Sequence, residues 1–317
     1  MKYTTFIILL FFSSFIISQE KFSKEISLVT DNDLYVSTIR DRYYTSGIFL
    51  TYRYLSKQKK EHLEKRIFEW QIGHEMYTPY VSTVPNISFH DRPFAGYLYG
   101  GFNVKRIYKN HQIFKTSLRL GFIGPNAFGK ELQEFIHNIY GFKKAIGWEY
   151  QIKNALALNL GAQYLKRVVK TEKDNFDISW VNQVNIGTVY TNVSSGFYSR
   201  FGFKPLQSLA NSIAFGTNIN DENTRFKREV ESFIYVKPTV QYAFYDATLQ
   251  GSFLNTSSSV VTKEIIPLIF NIEFGILFTA HRFNFGYSFM YNTSKSKDLR
   301  YGYGHKYGRI SINYLLR

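Results

Sequence analysis

Phe283-Asn284-Phe285-Gly286-Tyr287-Ser288-Phe289-Met290-Tyr291 places an aromatic ring at every second residue. A period of two is the signature of a β-strand with unlike faces, because successive side chains point to opposite sides. The pattern recurs along the chain. Ile48, Leu50, Tyr52 and Tyr54 alternate with Phe49, Thr51 and Arg53, and Leu118, Leu120 and Phe122 alternate with Ser117, Arg119 and Gly121. Leu156, Leu158, Leu160, Ala162 and Tyr164 oppose Asn159, Gly161 and Gln163, and Ile310, Ile312, Tyr314 and Leu316 oppose Arg309, Ser311 and Asn313. These strands run to roughly 10–15 residues, longer than those of most soluble sandwiches and enough for the about 9–11 that cross a bilayer. Aromatic residues make up 18% of the 317, as expected where many strands enter the headgroup layer. The reading is an all-β, antiparallel transmembrane β-barrel rather than a secreted sandwich or jelly roll.

The first residues agree with that destination. Lys2 precedes a short apolar run from Phe6 to Ile17, interrupted by Ser13 and Ser14 and ending at Ser18-Gln19-Glu20. This suits a cleaved secretory signal over residues 1–18 and leaves one domain, 19–317, with no linker dividing it. The absence of Cys excludes disulfides, thiolate metal sites and thiol nucleophiles.

With the N-terminus in the periplasm, strands over about 24–36 and 44–55 flank a first outer loop, and the basic turn from Lys57 to Arg66 is periplasmic. Further outer loops are expected near 78–93, 124–146, 171–176, 205–230, 256–264 and 293–304. Inner turns are expected at Tyr108–His111, Asn154, Asn192, Asp246 and His281. The hairpin count alone comes to about 14 strands. Within the third outer loop, 127–140 switches to helical spacing. Leu132, Phe135, Ile136 and Ile139 share one face, and Lys130, Gln133 and His137 another, so a short helix at the barrel mouth presents Gln and His as neighbours.

Three polar clusters thus gather at one rim: Asp31-Asn32-Asp33 with Asp41-Arg42-Tyr43-Tyr44-Thr45-Ser46-Gly47, then His90-Asp91-Arg92-Pro93-Phe94-Ala95-Gly96-Tyr97, then Gly124-Pro125 through Gln133, His137, Gly147-Trp148 and Gln151. In this order they resemble the outer-membrane lipid A 3'-O-deacylases over about the N-terminal half of the mature chain. The resemblance implies a barrel of about 12 strands and a calcium-dependent esterase that removes the 3'-linked acyloxyacyl group of lipid A in the outer leaflet. It places Asn32 and Asp33 at the calcium and oxyanion side, Thr45 at a hydroxyl position, and Gln133 and His137 at the catalytic glutamine and histidine.

The residue chemistry suits those roles. Ca2+ takes carboxylate, amide and backbone oxygens, which Asp33 (or Asp31), Asn32 and nearby carbonyls offer. A neutral His137 titrates near operating pH and can accept a proton from water, with Gln133 orienting it. Thr45 is read as a donor to the intermediate, less readily as the nucleophile; no G-x-S-x-G elbow is present. Asp41 with Arg42, and Asp91 with Arg92, read as structural ion pairs, and Trp148 as an interface-belt aromatic. Lys130, Lys143, Lys144 and Arg92 are candidate contacts to lipopolysaccharide phosphates. The formal charge of +15 is expected in part on the outer loops, through Lys170, Lys173, Lys227 and Arg228 among others. Nucleic acid is excluded by compartment, and no obligate protein partner is expected. The alternatives are an outer-membrane phospholipase or other acyl-modifying barrel, and a non-enzymatic channel.

Overall fold

A computed structural model of the chain describes residues 21–36, 41–57, 61–226, 230–255 and 259–317. The expected signal segment lies outside them. The strands are β1 (Lys24–Asn32), β2 (Tyr43–Leu55), β3 (Leu63–Thr78), β4 (Ala95–Tyr108), β5 (Gln112–Ile123), β6 (Ala155–Lys170), β7 (Phe176–Gly187), β8 (Tyr190–Gly202), β9 (Ser232–Asp246), β10 (Leu268–Ala280), β11 (Phe283–Asn292) and β12 (His305–Leu316). Neighbours in sequence pair antiparallel, and β1 closes on β12 from Lys24 opposite Leu316 to Asn32 opposite Gly308. The result is a closed barrel of 12 strands with no free edge.

Alternation sorts the side chains as the sequence suggests. Leu118, Leu120, Leu156, Leu158, Leu160, Val240 and Phe270 are exposed on the outside, whereas Glu25, Glu69, Asn159, Asp177 and Arg200 are buried within. Among the described residues no helix is long and apolar enough to cross a membrane; the strands make that surface.

The excess over 12 in the hairpin count has two sources. The segment after residue 146 forms a short 3-10 turn, Trp148–Tyr150, and the segment after Asp246 forms the four-residue helix Ala247–Gln250. Neither is a strand, although their apolar spacing imitates one. Two false crossings bracket 155–245 and invert its expected direction. The turn at 171–175 and the 203–226 segment therefore lie at the end that carries Lys24 and Leu316, with Lys170 and Lys173; the turn after Gly187 and the connections that follow Asp246 and Asn292 lie at the other end. Lys227 and Arg228 lie outside the described residues.

The 203–226 segment fills the lumen at its end of the barrel. Its Leu206, Leu209, Ala210, Ile213 and Ile219 join a buried cluster with Ile67, Ile107, Leu165, Phe233 and Leu315 from the wall. Wall cations hold it in place: Lys65 Nζ donates to the Thr217 and Ile219 carbonyls at 2.8 and 3.0 Å, and Arg200 donates to the Ser212 hydroxyl and the Gln207 carbonyl. Arg200 is itself neutralised by Asp177 and Glu231, so these buried charges are paired. Above the plug, Glu69 is ringed by Lys105 at 2.9 Å, Lys115 at 3.0 Å and Arg53 at 3.3 Å.

Leu160→Arg, midway along β6 on the outward face, is expected to lower stability by about 2–4 kcal/mol in urea titrations of the bilayer-inserted protein. Gln163→Arg, facing the lumen, is expected to cost clearly less. Equal effects would contradict the assignment of faces.

Candidate active site

The 124–154 loop folds back against the outside of the barrel wall. His74 of β3 alternates with the exposed Trp70 and Ile72, and its Nε2 lies 2.8 Å from the carbonyl oxygen of Ala127. The loop's helix, α1 (Gly129–Tyr140), begins beside Gly96 of β4. Close approach needs small residues here: a Cβ on Gly129 would sit 2.6 Å from the Trp148 ring. The helix ends on Gly141 at φ 70°, with Phe142 N–H bonded to the His137 carbonyl at 2.8 Å, a glycine-terminated cap.

α1 is turned opposite to a soluble amphipathic helix. Gln133 and His137 are 1% and 5% exposed, whereas Phe135 and Ile139 are 61% and 63% exposed. The polar face meets the wall, and the apolar face looks outward with Phe128, Tyr140 and Phe142. Beneath it, Met76, Phe94, Ala145 and Trp148 form a small buried cluster. Gly147, at φ 115°, admits the turn into Trp148, where a Cβ would meet the Val84 carbonyl at 2.7 Å.

Within this cleft Asp41 is the hub. Its Oδ2 lies 2.7 Å from His137 Nε2 and accepts from Gln133 Nε2 at 2.7 Å. The Trp148 indole N–H donates to Gln133 Oε1 at 2.7 Å, which fixes the amide orientation. His137 Nδ1 faces the Lys143 carbonyl at 2.5 Å. Both ring nitrogens thus face acceptors, an arrangement that favours the doubly protonated imidazole. Hydrogen bonding to Asp41, aided by the Lys143 carbonyl, holds the His137 pKa above its usual value near 6.5 against the opposing effect of burial.

Asp33 sits across the first loop. Its Oδ2 accepts the Arg42 N–H at 2.7 Å, while its Oδ1 is buried with no partner. Burial, then the neighbouring Asp41 charge, raises the Asp33 pKa well above the usual carboxylate value. Two close carboxyl groups, one with an unused buried oxygen, form a locus that a cation would relieve. Asn32 caps the short turn, accepting the Leu34 N–H at 2.8 Å. Asp31 points the other way, into the lumen, where Arg309 binds it at 2.7 and 2.8 Å. Among the described residues no three His, Asp or Glu side chains cluster as a metal cage, so any ion here would draw on amide and carbonyl oxygens as well.

A β-bulge between Tyr44 and Ser46 places Thr45 as the extra residue of β2. Tyr44 points into the lumen, and Thr45 Oγ1 lies 2.7 Å from Thr78 Oγ1. Thr78 donates to the Pro79 carbonyl, so the Thr45 proton is directed at Thr78, and no hydrogen bond joins Thr45 to His137. Lys130, Lys143 and Lys144 are exposed along α1 and the turn after it. Arg92 is buried elsewhere, donating to the Thr248 carbonyl at 3.0 Å and stacked on Tyr77.

The expected Asp–Arg pairs do not form. Asp41 binds His137 and Gln133, and Arg42 stacks on Tyr301 instead. Asp91 accepts from Tyr43 OH and the Tyr80 and Arg300 N–H groups. Asp41 and Trp148, read from the sequence as an ion-pair member and an interface-belt aromatic, are instead the buried partners of His137 and Gln133. Their only signal was position, within the Asp41–Gly47 run and directly after Gly147. His90 is a packing residue, bonded to the Val84 carbonyl and edge-on to Phe94 and Tyr150.

A closed barrel carrying a buried His–Asp–Gln network on its lipid-facing wall defines the class: an outer-membrane β-barrel protein with the side chains for acid–base chemistry. The chain belongs to the family described as outer membrane protein LpxR, which matches residues 5–316. That is the family its rim motifs resemble. Among solved structures, LpxR from Salmonella typhimurium superposes with a TM-score of 0.72 at 18% identity, covering 92% of this chain and all of that one. The β-domain of the Bordetella autotransporter BrkA reaches a TM-score of 0.50 at 9% identity, covering 93% of this chain and 99% of its own. These likenesses show the fold. No curated protein sequence matches the chain.

Asp41→Asn removes the charge that holds the His137 proton, so the His137 pKa is expected to fall. NMR titration of the imidazole checks this; an unchanged midpoint in a folded variant would refute the Asp41–His137 coupling.

Proposed function

We propose that this protein is a carboxylic ester hydrolase that removes the 3'-linked acyloxyacyl group of lipid A at the outward-facing rim of the outer membrane, with calcium as cofactor and a water activated by His137. The observation that carries the reading is the placement of the His137–Asp41–Gln133–Trp148 network outside the wall, beneath a helix whose apolar face is exposed. Such a cleft takes its substrate from the lipid leaflet and not from the lumen. The filled half of the barrel around Ile67, Leu209 and Leu315 also speaks against a channel.

The Lys143 carbonyl holds Nδ1–H, which assigns proton acceptance to Nε2. In the resting geometry Asp41 Oδ2 occupies the point 2.7 Å from both Nε2 and the Gln133 amide nitrogen. That is where an attacking water would stand between base and amide. Asp41 therefore withdraws before His137 can act. Asp33, through its free Oδ1, and Asn32 are the residues that would hold Ca2+, which when bound polarises the ester carbonyl and stabilises the oxyanion. Water then bonds to the acyl carbon as its proton passes to Nε2, and the imidazolium returns a proton to the sugar oxygen as the C–O bond breaks. Thr45, tied to Thr78, is not the nucleophile in this scheme. The exposed Lys130, Lys143 and Lys144 lie where lipid A phosphates would meet the helix; Arg92 is committed elsewhere.

His137→Ala is expected to lower deacylation by about 10²–10⁴-fold, with the folded barrel retained as judged by heat-modifiable electrophoretic migration. The assay is mass spectrometry of lipid A in detergent. Near-normal turnover would sink the base assignment, and phospholipid cleavage with lipid A untouched would replace the substrate.

In the same assay Asp33→Asn and chelation are each expected to abolish turnover. Added Ca2+ should rescue the chelated wild type but not the variant; activity that survives chelation would remove calcium from the scheme.

A further inference from the structure

Behind the cleft, across the β2–β3 wall, the lumen holds a partly open chamber of about 480 Å³. It lies within the roughly 300–1,000 Å³ of small-molecule sites. The plug fills the barrel beyond it, so the chamber is a blind pocket rather than a length of pore.

Its lining is held in place before any ligand arrives. Glu75 Oε2 accepts from Tyr77 OH at 2.7 Å and Tyr190 OH at 2.8 Å, and Asp31 is pinned by Arg309 and Tyr44. The Arg119 guanidinium lies 5.1 Å over the Tyr99 ring, with its Nε buried and without a partner. Deeper in the wall, Tyr97 OH is also buried and unpartnered. A second space of about 210 Å³ continues the chamber through Gln183, Asn192, Gln241 and Tyr307, and adds the amides of Asn185 and Asn271.

The chemistry of the lining selects the ligand. Asp31, Glu75 and Asp246 are matched by Arg119, Lys295 and Arg309, so the chamber carries no formal excess of either sign. A phosphate would find no net attraction, and an acyl chain would strand the charged and amide groups without partners. Amides, fixed carboxylates and tyrosine rings together offer donors, acceptors and flat apolar faces, which is what a ring of hydroxyls and C–H bonds requires. We propose that this chamber binds a neutral oligosaccharide. The assignment is independent of the chemistry in the cleft.

The test is isothermal titration of the purified full-length barrel, in a detergent without a sugar headgroup, with maltotriose, cellotriose and tri-N-acetylchitotriose. At least one is expected to bind saturably, and inorganic phosphate is not. Arg119→Gln and Gln183→Leu, on separate strands, are each expected to weaken binding by roughly tenfold or more, about 1.4 kcal/mol, with heat-modifiable migration retained. No saturable binding by any of the three sugars, undiminished binding in both folded variants, or phosphate binding in their place would overturn the proposal.

Discussion

Every backbone N–H and C=O that faces lipid must find a partner within the protein, and the β1–β12 ladder is what meets that demand here. Once the sheet closes, each strand residue faces either lipid or lumen. The site follows from this. Asn32 and Thr45 belong to the outer side of the wall while their neighbours Asp31 and Tyr44 line the chamber within. On β2 the single extra residue at Thr45 interrupts strict alternation and carries the chain from lumen-facing Tyr44 to the cleft.

The same constraint inverts α1. In water a helix with one apolar face buries it; against a barrel wall the apolar side has lipid for a solvent, and the polar side is the one that gains from burial. Gln133 and His137 can be buried because Asp41, Trp148 and the Lys143 carbonyl satisfy them. Removing those partners would leave polar groups in a dry cleft. The helix orientation and the hydrogen-bond network are therefore one arrangement, with two close carboxyl groups, Asp33 and Asp41, at its edge.

The two ends of the barrel divide the remaining work. At the end that carries Lys24 and Leu316, apolar side chains of the 203–226 segment and paired charges around Arg200 and Glu69 fill the lumen. At the other end the connections that follow Asp246 and Asn292 pair through an isolated bridge between Ile265 and Ser296. Between them the polar chamber stays open behind the wall that carries the cleft.

The sequence by itself determined the class of fold, because period-two alternation is a local property of each strand and needs no knowledge of neighbours. It also paired Gln133 with His137, since a spacing of four on a helix is equally local, and its rim motifs carried the family resemblance. Tertiary structure alone decided the number of strands, where the turn at Trp148–Tyr150 and the helix at Ala247–Gln250 imitate crossings that do not occur, and hence which end holds 203–226. It alone decided that Asp41 bonds to His137 and not to Arg42, that Asp31 faces the lumen while Asp33 keeps a free oxygen, and that α1 turns its apolar face outward. Each of these depends on which surfaces meet across the wall, and residues some 90 positions apart are brought within hydrogen-bonding distance only when the barrel closes.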